Sequence, residues 1–146
     1  YLAKIIRSAL EEFGANKPGT VYFDPTTDAL FELFQTAGSA YFVAEEGGIL
    51  LGGAGFFPTA GLPDGVAELV KMYLQPEARG RGLGRLLVNK TEELAKKMGY
   101  AGLYLESMPE LTHALTMYEK MGYHYLEGPM GNSGHTGCEL WMYKDL

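Results

Sequence analysis

Residues 76–87, PEARGRGLGRLL, bring together two residue types that handle anions in different ways. Gly80, Gly82 and Gly84 alternate through the stretch, and Arg79, Arg81 and Arg85 flank them. Glycines let a bulky phosphate approach the main chain with no Cβ in the way. Arginines add charge-assisted, bidentate bonds to phosphate oxygens. An apolar helical pattern follows at once, so the stretch also lies at the first turn of a helix. Unpaired N–H groups and the positive end of the helix dipole favour anions there. A pyrophosphate-bearing ligand satisfies all three features; a tight, solvated turn is the plainer alternative. The common nucleotide loops fit poorly. No Gly-Lys-Ser/Thr is present for GxxxxGK[ST], and the glycines run GxGxG rather than GxGxxG. Glu106 comes somewhat late for the acidic residue of a dinucleotide site.

Other chemistry-bearing residues are scattered. Glu68 shares alternation parity with Val70, Met72 and Leu74, which makes it either an inward carboxylate with a raised pKa or a strand-end charge paired with Lys71. Tyr118 lines up at helical spacing with Leu111, Ala114 and Leu115, so taken alone it reads as core. His135 and Cys138 sit in GNSGHTGCELWM, where a solvated histidine and a packing cysteine are the ordinary readings. His113 and His124 show no metal-ligand spacing and HExxH is absent, so no metal is expected. Tyr41, Phe42, Phe56, Phe57 and Tyr73 read as core or pocket wall.

The elements that must position these residues follow from patterning. Leu2, Ile5, Ile6, Ala9, Leu10 and Phe13 predict a helix ending at Gly14. Asp24-Pro25 caps a second short helix, expected to run to Gly38. AYFVAEE and ILLGGAGFF form a hairpin, with Gly52, Gly53 and Gly55 marking a bulge or a close backbone approach. VAELVKMYL is apolar on both faces, like a central strand covered on both sides. A helix with the face Leu83, Leu86, Leu87, Leu94 and Met98 comes next, then the strand GLYLES and a helix stopping at Gly122. YHYL and CELWMYK close the chain, which predicts an α/β domain with a mixed sheet.

Bulk composition narrows the partners. The 146 residues, 47% apolar, suffice for a single domain with its own core. A formal charge of −6 argues against a nucleic-acid surface and mildly favours a cationic substrate. The single cysteine rules out an intramolecular disulfide and fits a reducing cytoplasm. The longest apolar run, GILLGGAGFF, is too short for a bilayer, so no membrane partner is expected. The chain opens on Tyr1 inside a helical pattern, so an upstream segment is expected.

With these elements in order, the chain resembles the GNAT N-acetyltransferase superfamily. Arg79-Gly80-Arg81-Gly82-Leu83-Gly84 fits that family's Q/R-x-x-G-x-G/A signature, and VKMYLQPEA looks like the strand leading into it. Ala114 to Tyr123, ALTMYEKMGY, resembles its A-x-x-L-Y-E-K-x-G-F/Y segment. The likeness runs from about residue 40 to the end, with the amino-terminal helices also in place. It implies the GNAT fold, a central mixed β-sheet with a splayed acetyl-CoA-binding cleft flanked by helices, whose first strand would lie upstream of residue 1.

The resemblance further implies an enzyme moving an acetyl group from acetyl-CoA to a primary amine by direct attack. Arg79, Gly80, Arg81, Gly82, Leu83, Gly84 and Arg85 would grip the pyrophosphate. Main chain of Met72, Tyr73 and Leu74 would bond the pantetheine arm, since a free strand edge offers donors and acceptors at the pitch of its two amides. Tyr118 matches the family's general acid toward the departing thiolate and also borders the cofactor; a phenol and an alkyl thiol have comparable intrinsic pKa values. Glu68 stands where several members place a glutamate base. One departure is Leu111, at a position where many members carry asparagine; Ser107 and Thr112 are the nearby hydrogen-bonding side chains. The acceptor is an unidentified small-molecule or peptide amine, and homodimers are common in the family. A non-catalytic acyl-CoA sensor or regulatory module of the same fold is the alternative.

Overall fold

The computed structural model describes residues 2–146. Helix α1 (Leu2–Glu12) buries Ile5, Ile6, Ala9 and Leu10, the i, i+4 stripe the sequence shows, and Gly14 turns the chain out at φ 68°. The expected helix from Asp24 to Gly38 is instead two pieces, a 3-10 turn over Pro25–Asp28 and the four-residue α2 (Leu30–Leu33). Asp24 does cap the turn, accepting from Thr26 N–H at 2.9 Å. The helix stops because the Thr27 hydroxyl turns back to the Val21 carbonyl at 2.9 Å and Ala29 adopts φ −128°.

Six strands form one open sheet in the order β1-β2-β3-β4-β6-β5. They are β1 (Ala40–Glu46), β2 (Ile49–Phe57), β3 (Val66–Leu74), β4 (Gly102–Ser107), β5 (His124–Leu126) and β6 (Leu140–Asp145). Only β3 and β4 run parallel, and they pair only from Val66–Gly102 to Glu68–Tyr104. Beyond Glu68 the two strands part, and the β4-facing edge of β3 stays open toward Leu74. The sheet is therefore mixed and splayed at its centre.

Helix α3 (Leu83–Lys97) covers one face, and its buried positions are Gly84, Leu87, Val88, Thr91 and Ala95. That stripe is rotated from the expected one: Leu86 and Met98 are exposed. Gly84 makes the difference, because its missing side chain lets the first turn sit against Leu74 and Met117. Helix α4 (Thr112–Lys120) buries Leu115 and Tyr118 beside Tyr123 and Met121. A second core of Ile6, Leu10, Ala15 and Met108 joins α1 to the other face. Each such Ile or Leu contributes about 1.5–3 kcal/mol.

The glycines of β2 have a physical reason. A Cβ at Gly53 would lie 2.5 Å from the Tyr41 ring, and one at Gly55 would lie 2.3 Å from the Ala40 carbonyl. Tyr41 thus lies flat across β2 and donates to the Lys71 carbonyl at 2.7 Å. There β3 bulges: the β2–β3 register slips between Gly53 and Gly55, and Lys71 takes φ 53°. Both expectations for these glycines, bulge and close approach, are met together.

Candidate functional site

The parted strands open a cleft of about 660 Å³, of a size usual for small-molecule sites. Met72, Tyr73 and Leu74 line it from the sheet, Gly80, Gly82, Leu83, Gly84 and Arg85 from the loop and α3, and Leu111, His113 and Met117 from α4. Gly80 and Gly82 hold φ 73° and 79°, and a Cβ on either would meet nothing within 4 Å. Their need for glycine is therefore conformational, and the space beside them is open for a ligand. No side chain caps α3 at Gly82, and its first intrahelical acceptor bond runs from Leu86 N–H at 3.1 Å. The preceding amides, of the cleft-lining residues Leu83, Gly84 and Arg85, have no intrahelical acceptor, and the helix dipole lies behind them. Open backbone, uncapped amides and the cleft volume fit a pyrophosphate-bearing thioester such as acetyl-CoA.

The three arginines divide their work. The Arg79 guanidinium donates to the Leu74 carbonyl at 3.1 and 3.3 Å, pairs with Glu12 of α1 and lies 5.0 Å from the centroid of the Phe13 ring. It ties loop, strand and helix together. Arg81 points away from the cleft and pairs with Glu46 on the β1–β2 hairpin. Arg79 and Arg85 both line the cleft, and Arg85 does so with no hydrogen bond or ion pair among the described residues.

Where β3 leaves β4, a smaller chamber of about 50 Å³ shares Tyr73 and Leu111 with the main cleft. Glu68 is 4% exposed and accepts from Thr59 Oγ1 at 2.6 Å. Burial, assisted by the Glu106 carboxylate, raises its pKa to about 7, against the pull of Thr59 and Lys71. It points inward, but the bulge at Lys71 breaks the expected alternation, so Glu68 shares its face with Val70 and Tyr73 and not with Met72. Tyr118 packs edge-to-face on Tyr123 at 5.6 Å, and burial raises its pKa well above that of a free phenol. It stands behind the cleft lining rather than in it.

The chamber also gathers residues that the sequence reading set aside. His135 Nε2 lies 2.6 Å from Asp24 Oδ2, and its Nδ1 lies 3.9 Å from Glu106. Burial resists ionisation of Asp24, but the bonds from His135 and Thr26 and the more distant Lys71 outweigh it, so its pKa falls to about 2. Glu106 accepts from Tyr104 Oη at 2.7 Å and from Ser133. Donor atoms of Glu68, Glu106 and His135 lie within 4.8 Å of one another, an arrangement suited to a cation. It arises without the local metal-ligand spacing whose absence led to the expectation of no metal. Cys138 lines the same chamber, and burial with Glu106 and Glu68 pushes its thiol up to about 12, far from a nucleophilic thiolate. Ser107 lines it too, whereas Thr112 is exposed at the start of α4. Asp24 was legible only as a helix cap. Glu106, two residues beyond Tyr104 on β4, carried a parity signal once the pairing with β3 is known.

A mixed sheet split at its centre, with a glycine-rich turn at the mouth of the split, defines the architecture of the site. The chain belongs to the Acetyltransferase (GNAT) family, whose pattern matches residues 3–123. It is 37% identical over 147 residues to the uncharacterized N-acetyltransferase YjgM of Escherichia coli, covering 99% of this chain and 87% of that protein. Its fold is similar to a GNAT-family acetyltransferase of Staphylococcus aureus, with a TM-score of 0.85 at 18% identity over 99% of this chain and 90% of the other. It is also similar to the PaiA N-acetyltransferase of Thermoplasma acidophilum, solved in complex with coenzyme A, with a TM-score of 0.73 at 17% identity over 99% and 91%. Among the described residues no helix is long and apolar enough to cross a membrane.

Proposed function

We propose that this chain transfers an acetyl group from acetyl-CoA to a primary amine by direct attack within a ternary complex. The observation that carries the reading is the parting of β3 from β4 beyond Glu68, which joins an anion-accepting loop at one end to a buried carboxylate at the other. Acetyl-CoA would supply the acyl group as an activated thioester. Leu83, Gly84 and Arg85 amides and the Arg85 side chain would hold its pyrophosphate, and the open edge at Met72–Leu74 its pantetheine arm. Arg79 fixes the loop from behind.

Two proton movements then fall to this chain's own residues. Glu68, with its pKa raised to about 7, accepts the proton an ammonium must lose to become a nucleophile near neutral pH. Tyr118 remains protonated but stands behind the cleft lining, so it would return a proton to the departing sulfur only where the bound thioester reaches past that lining. Burial makes its phenol a weaker donor than a free tyrosine, so transfer to a solvated thiolate would be uphill. A sulfur leaving into the same dry region would be made more basic by the same burial.

Calorimetric titration with acetyl-CoA tests the reading, with Arg85→Ala beside the wild type. Binding that weakens about tenfold in the variant, about 1.4 kcal/mol, supports it. Amine-dependent release of CoA then completes it. Absence of wild-type binding overturns it, and binding without turnover of any amine points to the sensor alternative.

A further inference from the structure

The small chamber carries charge of both signs, and only one sign is satisfied. Its carboxylates have partners: Glu68 bonds Thr59 and Glu106 bonds Tyr104 and Ser133, while Asp24, outside the lining, bonds His135. Lys71 lines the same wall and is 7% exposed, yet its ammonium makes no hydrogen bond or ion pair among the described residues. Asp24 and Glu68 act on it through space alone. Burial lowers the Lys71 pKa, and although its ammonium keeps some solvent contact, a counter-ion supplied from outside would offset that desolvation cost. The backbone is bent to place it there. Lys71 sits at φ 53° on the β3 bulge, its carbonyl held by Tyr41, a conformation that long side chains adopt only where their surroundings enforce it.

We infer that the acceptor is a small zwitterion with amine and carboxylate a few bonds apart, as in an amino acid, its ammonium received by Glu68 and Glu106 beside the His135 ring and its carboxylate by Lys71. With Asp24 ionised, its short bond to His135 places a proton on Nε2 and turns Nδ1 toward Glu106. An ammonium in this cluster would donate to the two carboxylates, beside the His135 ring. The chamber's roughly 50 Å³ holds three to five water-sized groups at about 10–15 Å³ each, which suits the head of an amino acid but not a ring. Its side chain would extend toward the shared wall at Tyr73 and Leu111, where Leu111 offers an apolar contact in place of an amide.

The inference rests on the acetyl-transfer reading for the identity of the site, and the test separates the two by measuring binding apart from turnover. The protein loaded with CoA is titrated with the standard L-amino acids. The tightest binder is then compared with its own carboxamide and with the amine lacking the carboxylate. The acid binds at least about tenfold tighter than the amide; Lys71→Met reduces that preference below about twofold, and Lys71→Arg retains it. Acetyl-CoA affinity stays unchanged in both variants. Binding of no amino acid, equal binding of acid and amide, or a preference that survives Lys71→Met overturns the inference. An amino acid bound through Lys71 but never acetylated leaves the inference standing and removes the enzyme reading; acetylation indifferent to the carboxylate does the reverse.

Discussion

Glu68 is the residue at which burial and chemistry pull in opposite directions. Its carboxyl is raised to about 7 in the folded protein, above its value of 4.5 when unfolded, chiefly because burial penalises the charged form. The folded state therefore binds the extra proton between those values, and stability falls as pH rises through that window. Glu68→Gln removes the penalty. Denaturant unfolding at pH 8 should show the variant more stable by about 3 kcal/mol, with little difference at pH 4. Turnover should move the other way, falling at least about 100-fold and losing the rise in kcat centred near 7. A variant that is equally stable at both pH values would mean that Glu68 is not held protonated by burial. Alternation along VAELV made the inward carboxylate legible, although the bulge at Lys71 ends it before Met72. Its neighbours were not, because Asp24, Glu106 and His135 reach it from three separate segments, with Asp24 and His135 111 positions apart.

At the scale of elements, the bulge in β3 depends on β1 and β2 as much as on its own sequence. Tyr41 crosses Gly53 and Gly55 to bond the Lys71 carbonyl, so one hydroxyl on a neighbouring strand holds the residue that faces the chamber. Tyr41→Phe should cost about 1 kcal/mol of stability, the net worth of one hydrogen bond, measured by denaturant unfolding. Gly55→Ala should cost more, about 2 kcal/mol or above, because its Cβ would meet the Ala40 carbonyl at 2.3 Å and backbone must shift. If the two changes cost the same, the ring does not depend on bare backbone beneath it. Strand positions were readable because alternation and glycine placement report on both faces. The second helix was not, because Thr27 had a distant partner in Val21 that propensity does not see. The α3 face was misplaced by a quarter turn or so because a glycine, invisible to an apolar pattern, forms its closest contact.

For the molecule as a whole, the loop arginines separate stability from binding. Arg79 joins α1, β3 and the glycine turn through Glu12, Phe13 and the Leu74 carbonyl, whereas Arg85 is left facing the cleft. Removing Arg79 should therefore weaken the fold before any ligand arrives, by about 1 kcal/mol or a few degrees in Tm, since its ion pair is partly solvated and its carbonyl bonds carry most of the effect. Removing Arg85 should leave the unliganded Tm unchanged and act only on affinity. Acetyl-CoA at 100 times its Kd stabilises the wild type by about 2.7 kcal/mol, which raises Tm by roughly 5–10 °C. Thermal melts of wild type, Arg79→Met and Arg85→Met, each with and without the same acetyl-CoA concentration, distinguish the roles. Arg79→Met should start lower and keep most of the ligand-induced rise, while Arg85→Met should start level and lose at least about 1 kcal/mol of it. The opposite pattern would place the anion on Arg79 and require its guanidinium to leave Glu12 and the Leu74 carbonyl on binding, so that α1 and the cleft would move as one coupled unit.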